Sequence, residues 1–176
     1  MGETNEVAAC SLSSSSVESG PRQHGLALTC RLAESSEDLS VHHAIRHAVF
    51  VEEQGIFEET DRDERDVDPA TIKILGAGGR IAGGAVRLYP LDEAGLWRGD
   101  RLAVLPAFRR LGLGAPLVRY AVWTASKLGG ESMIAHIQPR NVEFFRKLGW
   151  RAEGRPEAHV GLPHQRMTIS LGAHGL

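Results

Sequence analysis

The sequence predicts an α/β domain of mixed α+β character, built on one mixed, mostly antiparallel, twisted sheet with helices on both faces. Three observations carry that expectation. Short apolar runs in the first half are joined by a glycine turn, the signal of antiparallel neighbours. Strand and helix patterns alternate in the second half. Between them a glycine-rich basic stretch, Arg109 to Ala115, separates an apolar run from a helical pattern.

Taken in order, residues 1–24 hold Ser11, Ser13 to Ser16 and Ser19 with few large apolar side chains. Such a segment buries too little surface to offset its ordering entropy and reads as a disordered tail, leaving 25–176 as the domain. Residues 26–32 form a first strand. Ser36 or Asp38 caps a helix to about Glu53, with Leu39, His42, Ile45 and Val49 on one apolar face. From Glu52 to Asp68 nine acids stand against Arg62 and Arg65. That run is either a solvated loop with a short helix or an acidic mouth that draws in a cationic amine. A calcium loop fails on spacing, because Arg65, Asp66 and Ile72 occupy positions that need an oxygen ligand, Gly and Glu.

Residues 71–75 and 81–89 flank Gly78-Gly79-Arg80 and read as a hairpin. Residues 97–104 make the next strand, and 116–128 a helix stopped by Gly129-Gly130. A strand over 132–137 precedes a short helix over 142–148, capped by Asn141 or Gln138. Residues 150–153 and 167–171 complete the sheet.

The totals exclude several functions. The 176 residues, 42% hydrophobic and 24% charged, suffice for a sizeable core. A net charge of −2 gives no basic footprint for nucleic acid. No apolar run approaches the ~20 residues of a membrane span. Glu3 and Glu6, with no apolar segment after them, do not make an export signal. Two cysteines, Cys10 and Cys30, fit a reduced, cytoplasmic setting.

The glycine stretch carries the chemistry. The first N–H groups of a helix lack internal acceptors and sit at the positive end of its dipole, so an anion fits there. Gly112 and Gly114 let the backbone approach closely, and Arg109 and Arg110 add charge. The expected ligand is a pyrophosphate. A phosphate-binding P-loop would need Lys-Ser/Thr where Ala115-Pro116 stand, and a dinucleotide fingerprint would need a small residue at Leu117.

Residues 102–114 resemble the acetyl-CoA motif of the GNAT N-acetyltransferases: a Val-x-Pro strand end, an aromatic residue, then Arg-x-x-Gly-x-Gly. Gln138 to Trp150 is similar to that family's downstream helix. Arg46-x-x-Val49-Phe50-Val51-x-Glu53-Gln54 with Asp63 and Asp66, and Gly161-Leu162-Pro163-His164-x-x-Met167, resemble an ElaA-like subgroup. A narrower bacterial subgroup associated with nitrilase-type genes is also similar. The resemblance implies the GNAT fold and acetyl-CoA as co-substrate, with no metal. It implies that Leu102, Ala103 and Val104 pair with pantetheine on a splayed strand. Pyrophosphate would then rest on N–H groups of Arg110, Leu111, Gly112, Leu113, Gly114 and Ala115, beside Arg109. Gln138, Asn141 and Phe145 complete the cofactor side. Phe145 stands where the family usually has a Tyr and cannot protonate a thiolate.

The implied reaction is direct transfer of an acetyl group to a primary amine of a small molecule in a ternary complex; the sequence leaves the oligomeric state open, with a homodimer as one option. An alkylamine is mostly charged at neutral pH, so a base or water chain must take its proton. The Val104 N–H would stabilise the oxyanion. Glu53, Glu52, His136 and His164 are the candidate bases, with Glu53 and His164 preferred. Glu53 needs partial burial to raise its pKa; otherwise it is a structural carboxylate. His136, alternating with Ile134 and Ile137, reads as a core histidine. His43 and His47 lie four apart without an acidic third ligand. Two other outcomes stay open: an acyl-homoserine-lactone-synthase-like enzyme and an acyl-CoA-binding sensor without turnover.

Overall fold

The computed structural model describes residues 26–159 and 161–172. The expected tail over 1–24 and Cys10 therefore lie outside the described residues. The sheet runs in the order β1 (Leu28–Leu32), β2 (Ile72–Gly78), β3 (Ile81–Pro90), β4 (Leu96–Val104), β5 (Ser132–Ile137), β8 (Leu162–Ser170), β6 (Arg151–Ala152), and β7 (Glu157–His159) pairs with β8. Every pairing is antiparallel except β4 with β5. This is the fold class the sequence predicts.

Helix α1 (Ser36–His47) covers one face, where Ile45, Val49 and Phe50 pack on Leu75, Ala85 and Ala103. Its cap is Ser35, whose hydroxyl accepts the Asp38 N–H at 3.0 Å, and not Ser36 or Asp38. The expected continuation to Glu53 exists, but over Ala48–Glu53 it widens into a π-helix. A π turn inserts one residue per turn and redirects the chain beyond it, which is why such turns collect at functional sites.

Helix α3 (Gly114–Lys127) covers the other face with Leu117, Val118, Ala121 and Ala125. It docks closely because Gly76 and Gly84 offer no side chain: a Cβ on Gly84 would stand 2.5 Å from Leu117 Cδ1. Leu113 and Leu117 are fully buried there, so the glycines of the hairpin fix where the helix starts. A short helix α2 (Pro106–Arg110) precedes it and occupies the first part of the stretch expected to be loop. Helix α4 (Val142–Lys147) ends at Gly149, whose φ of 91° is a left-handed conformation that glycine adopts without strain. Neither Asn141 nor Gln138 makes a side-chain cap bond there, contrary to expectation. Among the described residues, no helix is long and apolar enough to cross a membrane.

Candidate active site

The parallel contact between β4 and β5 is brief. It spans Leu96 with Ser132 to Arg98 with Ile134, and the two strands then part. A bulge on the other side of β4 drives the parting. Between the pairs Ala85–Ala103 and Arg87–Asp100, Arg101 and Leu102 oppose the single residue Val86. Arg101 has φ 51°, a left-handed conformation that costs a non-glycine residue about 1–2 kcal/mol. Its guanidinium anchors it: Nη2 donates to Asp61 O at 3.1 Å and to Asp63 Oδ2 at 3.2 Å, over the Phe57 ring.

The gap is a cavity through the sheet. On the α3 side its walls are apolar, with Val118, Ala121, Met133, Phe145 and Trp150. On the α1 side they are polar, with Arg98, Asp100, Arg101, His136, His159 and His164 among aromatic Phe50 and Phe57. The Leu105 N–H donates to Gly83 O at 2.8 Å. Successive N–H groups of a strand point to opposite edges, so the Val104 N–H faces away from β3, into the gap.

At the head of α3 the Gly112 N–H donates to Arg109 O at 3.0 Å and the Leu113 N–H to Phe108 O at 3.2 Å, closing a turn. Leu113, the N-cap residue, supplies no capping side chain, so Gly114 and Ala115 present open N–H groups at the helix start. Gly112 has φ 80° and nothing within 4 Å of where a Cβ would stand. An anion thus has donors, the helix dipole and room. This cradle fits the pyrophosphate of an acyl-CoA, although Gly112 and Leu113 spend their N–H groups on the turn.

Two expectations near the loop need correction. Glu53 is exposed and does not line the cavity; its carboxylate takes two 2.6 Å bonds from Arg109. That guanidinium holds its pKa below the usual range, the opposite of the raised value a base needs. Arg109 in turn is not free charge for an anion, since its Nε donates to Val104 O at 2.7 Å and its other nitrogens serve Glu53. The next residue, Gln54, accepts from Gln138 Nε2 at 3.1 Å. The end of the π turn therefore ties both banks of the gap, the β4 side through Arg109 and the β5 side through Gln138.

The acidic segment is not a mouth for cations either. The Arg46 side chain is fully buried, with Nε 2.6 Å from Asp61 and both terminal nitrogens on Asp66. The equally buried Arg87 bonds Asp63 and, bidentately at 2.7 Å, Asp100. Burial pushes Asp66 up, but the Arg46 guanidinium outweighs it and holds the carboxyl well below its ordinary range. His43 and His47 face separate carboxylates, Asp66 and Glu52, and share no site.

His136, expected in the core, is half-buried on the cavity wall. Burial first, and then the neighbouring Arg98 charge, push its pKa down to about 4. It stacks on His159 at 4.9 Å, and His159 meets His164 edge-on at 5.3 Å. His164 Nδ1 lies 3.0 Å from Leu162 O, so Nδ1 carries a proton and, in the neutral ring, Nε2 is the acceptor.

A splayed strand pair beside a glycine cradle is the arrangement the resemblance implies, and comparisons with known proteins decide it. Residues 59–171 match the family of acetyltransferase (GNAT) domains. The chain belongs to the GNAT acetyltransferases. It is 30% identical over 135 residues to a Bacillus subtilis (strain 168) protein assigned as an acetyltransferase, covering 76% of this chain and 90% of that one. The crystal structure of an N-acetyltransferase assigned in Lactobacillus plantarum superimposes with a TM-score of 0.74 at 25% identity, over 82% of this chain and 99% of that one. Escherichia coli ElaA superimposes with a TM-score of 0.71 at 21% identity, over 81% and 99%. This GNAT protein is thus an N-acyltransferase of a family that uses acyl-CoA.

Of the residues picked out from sequence, Leu102, Gln138, Asn141, Phe145 and His164 line the cavity. Val104 reaches it by its backbone, and Ala103 is buried against the α1-side core. Arg110 and Leu111 are exposed, while the Leu113 side chain belongs to the core. Sequence reading missed Arg98, Asp100, Arg101 and His159. The signal that could have found the first three is the charged run Arg98-Gly99-Asp100-Arg101 between the apolar ends of β4.

Proposed function

We propose that this GNAT enzyme transfers an acetyl group from acetyl-CoA to a primary amine of a small molecule, directly, within a ternary complex. The observation that carries this reading is the gap between β4 and β5, with the Val104 N–H facing it and the α3 cradle at one end. Leu102 and the Val104 N–H face the gap and are offered to pantetheine, while Ala103 pairs with Ala85 on β3 and the Val104 carbonyl is held by Arg109; the N–H groups around Gly114 and Ala115 receive the pyrophosphate. Gln138 Oε1, Asn141 and the apolar wall of Phe145 line the thiol end.

The amine nitrogen forms a C–N bond to the thioester carbonyl carbon, and the C–S bond breaks. One proton leaves the ammonium before attack and a second leaves nitrogen as the amide forms; each passes to His164 Nε2, directly or through water, and on to solvent. The Val104 N–H donates to the carbonyl oxygen as it gains charge. The thiolate leaves without a dedicated acid, which its intrinsic pKa of about 8.5 permits. The domain is taken to span 25–176 and to work in the cytoplasm. Because Phe145 is buried and carries no hydroxyl, the competing reading is an acyl-CoA-binding sensor without turnover.

Incubating the protein with acetyl-CoA and a broad panel of amines, and following free thiol, tests the reading. Thiol release with an acetylated amine is expected. Thermal stabilisation by acetyl-CoA without thiol release would favour the sensor, and no stabilisation at all would refute the cradle.

A further inference from the structure

Among the described residues, the polar half of the cavity contains one cation that the fold leaves without a counter-ion. Arg46, Arg87 and Arg101 each hold one or more carboxylates. Arg98, only partly exposed on the cavity wall, has none within salt-bridge distance among those residues. Its protein partners are two imidazoles: Nη2 lies 3.1 Å from His136 Nδ1 and 3.5 Å from His159 Nε2. Its Nε is buried without a hydrogen-bond partner. The carboxylate on the same wall, Asp100, is already engaged through both oxygens by Arg87. A desolvated guanidinium without an anion is costly, and that cost vanishes when a ligand brings the anion.

The imidazoles sharpen the recognition. An arginine only donates, so the ring nitrogens facing Arg98 must accept. That fixes the proton of His136 on Nε2 and of His159 on Nδ1, making each ring a donor on the side away from Arg98. Burial and the Arg98 charge keep both rings neutral near pH 7, His136 with a pKa of about 4. His164 is the reverse case, with Nδ1 donating to Leu162 O and Nε2 accepting. One wall therefore offers donors and positive charge, and beside it stands one acceptor.

We propose that the acceptor end of the cavity recognises a carboxylate, so that the amine acylated here is an amino acid or a similar amine carrying a carboxylate, held by Arg98, whose guanidinium His136 and His159 position. The inference rests on the acyl-transfer reading for the fate of the amine, but not for the binding of the anion. A polyamine or an amine bearing a second cation would meet the unpaired charge of Arg98 and be repelled. The expected acceptor is thus the opposite of the one that the acid-rich sequence suggests.

The test compares matched pairs in two assays. In the first, calorimetry with the CoA-saturated protein compares N-acetylglycine with N-acetylglycinamide, and N-acetylalanine with its amide. The carboxylates are expected to bind at least about tenfold more tightly, the scale of one charge-assisted pair. Arg98→Met should erase the difference, and Arg98→Lys should restore part of it; thermal stabilisation by CoA shows that each variant is folded. Equal binding of acids and amides, no carboxylate binding at millimolar concentration, or an unchanged preference in Arg98→Met would overturn the proposal. In the second assay, thiol release is compared for amino acids, their methyl esters and diamines. Preference for the free acids supports the substrate class, and preference for esters or diamines overturns it. Carboxylate-selective binding with no turnover of any amine would leave the anion site standing and sink the acyl-transfer reading alone.

Discussion

Replacing Arg46 by Met removes the centre of the charge network while keeping the length and apolar character of the stem. The Arg46 side chain has no exposed surface, and those of Asp61 and Asp66 are 2% exposed. Breaking a buried pair from one side costs about 3–5 kcal/mol, because the other charge stays buried. Here both carboxylates keep something: Asp66 lies 3.1 Å from Arg87 and accepts the Asp63 N–H, and Asp61 lies 3.3 Å from Arg101. The lower end, about 3 kcal/mol, is therefore expected, equivalent to roughly 6–12 °C in Tm for a chain of this size. The sign of the pH dependence is a second check. In the native protein the Asp66 pKa is depressed, so its stabilisation is present above the ordinary carboxyl value of 3.8 and is lost as pH falls through the folded value. In the variant Asp66 loses that cation and its pKa rises toward the ordinary value, so the deficit should shrink as pH falls below 3.8, where the native protein gives up the same stabilisation. Urea denaturation followed by circular dichroism at several pH values measures both. A deficit below about 1 kcal/mol, as for a surface pair, or one that does not change with pH, would refute the reasoning.

Gly112→Asp should abolish thermal stabilisation by acetyl-CoA, since it places a carboxylate at the open cradle and strains a φ of 80°; undiminished stabilisation would count against the cradle. Glu53→Gln should cost less than about 1 kcal/mol of stability and leave the pH–rate profile in place, whereas His164→Ala should lower kcat about 10²–10⁴-fold. The reverse ordering would return the base to Glu53. His42 and His136 both have pKa values pushed down to about 4, chiefly by burial, below the ordinary 6.5. Between those values the unfolded chain binds protons that the native one does not, so stability should fall as pH falls through that window; His42→Gln should flatten the slope of the urea midpoint there. Arg101→Gly and Arg101→Ala lose the same guanidinium, so their difference isolates the left-handed backbone: the Ala variant should be about 1 kcal/mol less stable, and equal stabilities would mean that the bulge relaxes.

Local patterning revealed the elements whose signals are local. β5 occupies residues 132–137 as expected, because two glycines before it and the Gln138-Pro139 step after it bracket an apolar run. β7, three residues long with two polar side chains, has no pattern to detect. The first half of β8 is hidden by Pro163 and by polar His164 to Arg166, although those residues face the cavity or pack on β5. The π turn after α1 is invisible for another reason: Val49, Phe50 and Val51 continue an apolar face whether the turn is α or π. In the site, the backbone cradle was legible because glycine content and order encode it. The side-chain roles were not. Arg109 stands beside the glycines in sequence, yet its direction is set by Glu53, 56 positions away.

The acidic segment shows how a local charge count can mislead about the electrostatics of a cleft. Asp61, Asp63 and Asp66 stand among the acids of residues 52–68, but their partners Arg46, Arg87 and Arg101 come from α1, β3 and β4. The fold spends these carboxylates internally, with two linked consequences. Arg101 is pinned in the conformation that forms the bulge, which parts β4 from β5 and frees the Val104 N–H for the gap. With Asp100 drawn onto Arg87 by the same network, Arg98 is left as the unneutralised charge of the cavity wall. The acids that suggest a cation-attracting mouth in the linear sequence thus build, in three dimensions, a splayed strand with a cationic floor. Loosening the network would disturb transition-state stabilisation and acceptor choice at once, through the backbone in the first case and through charge in the second.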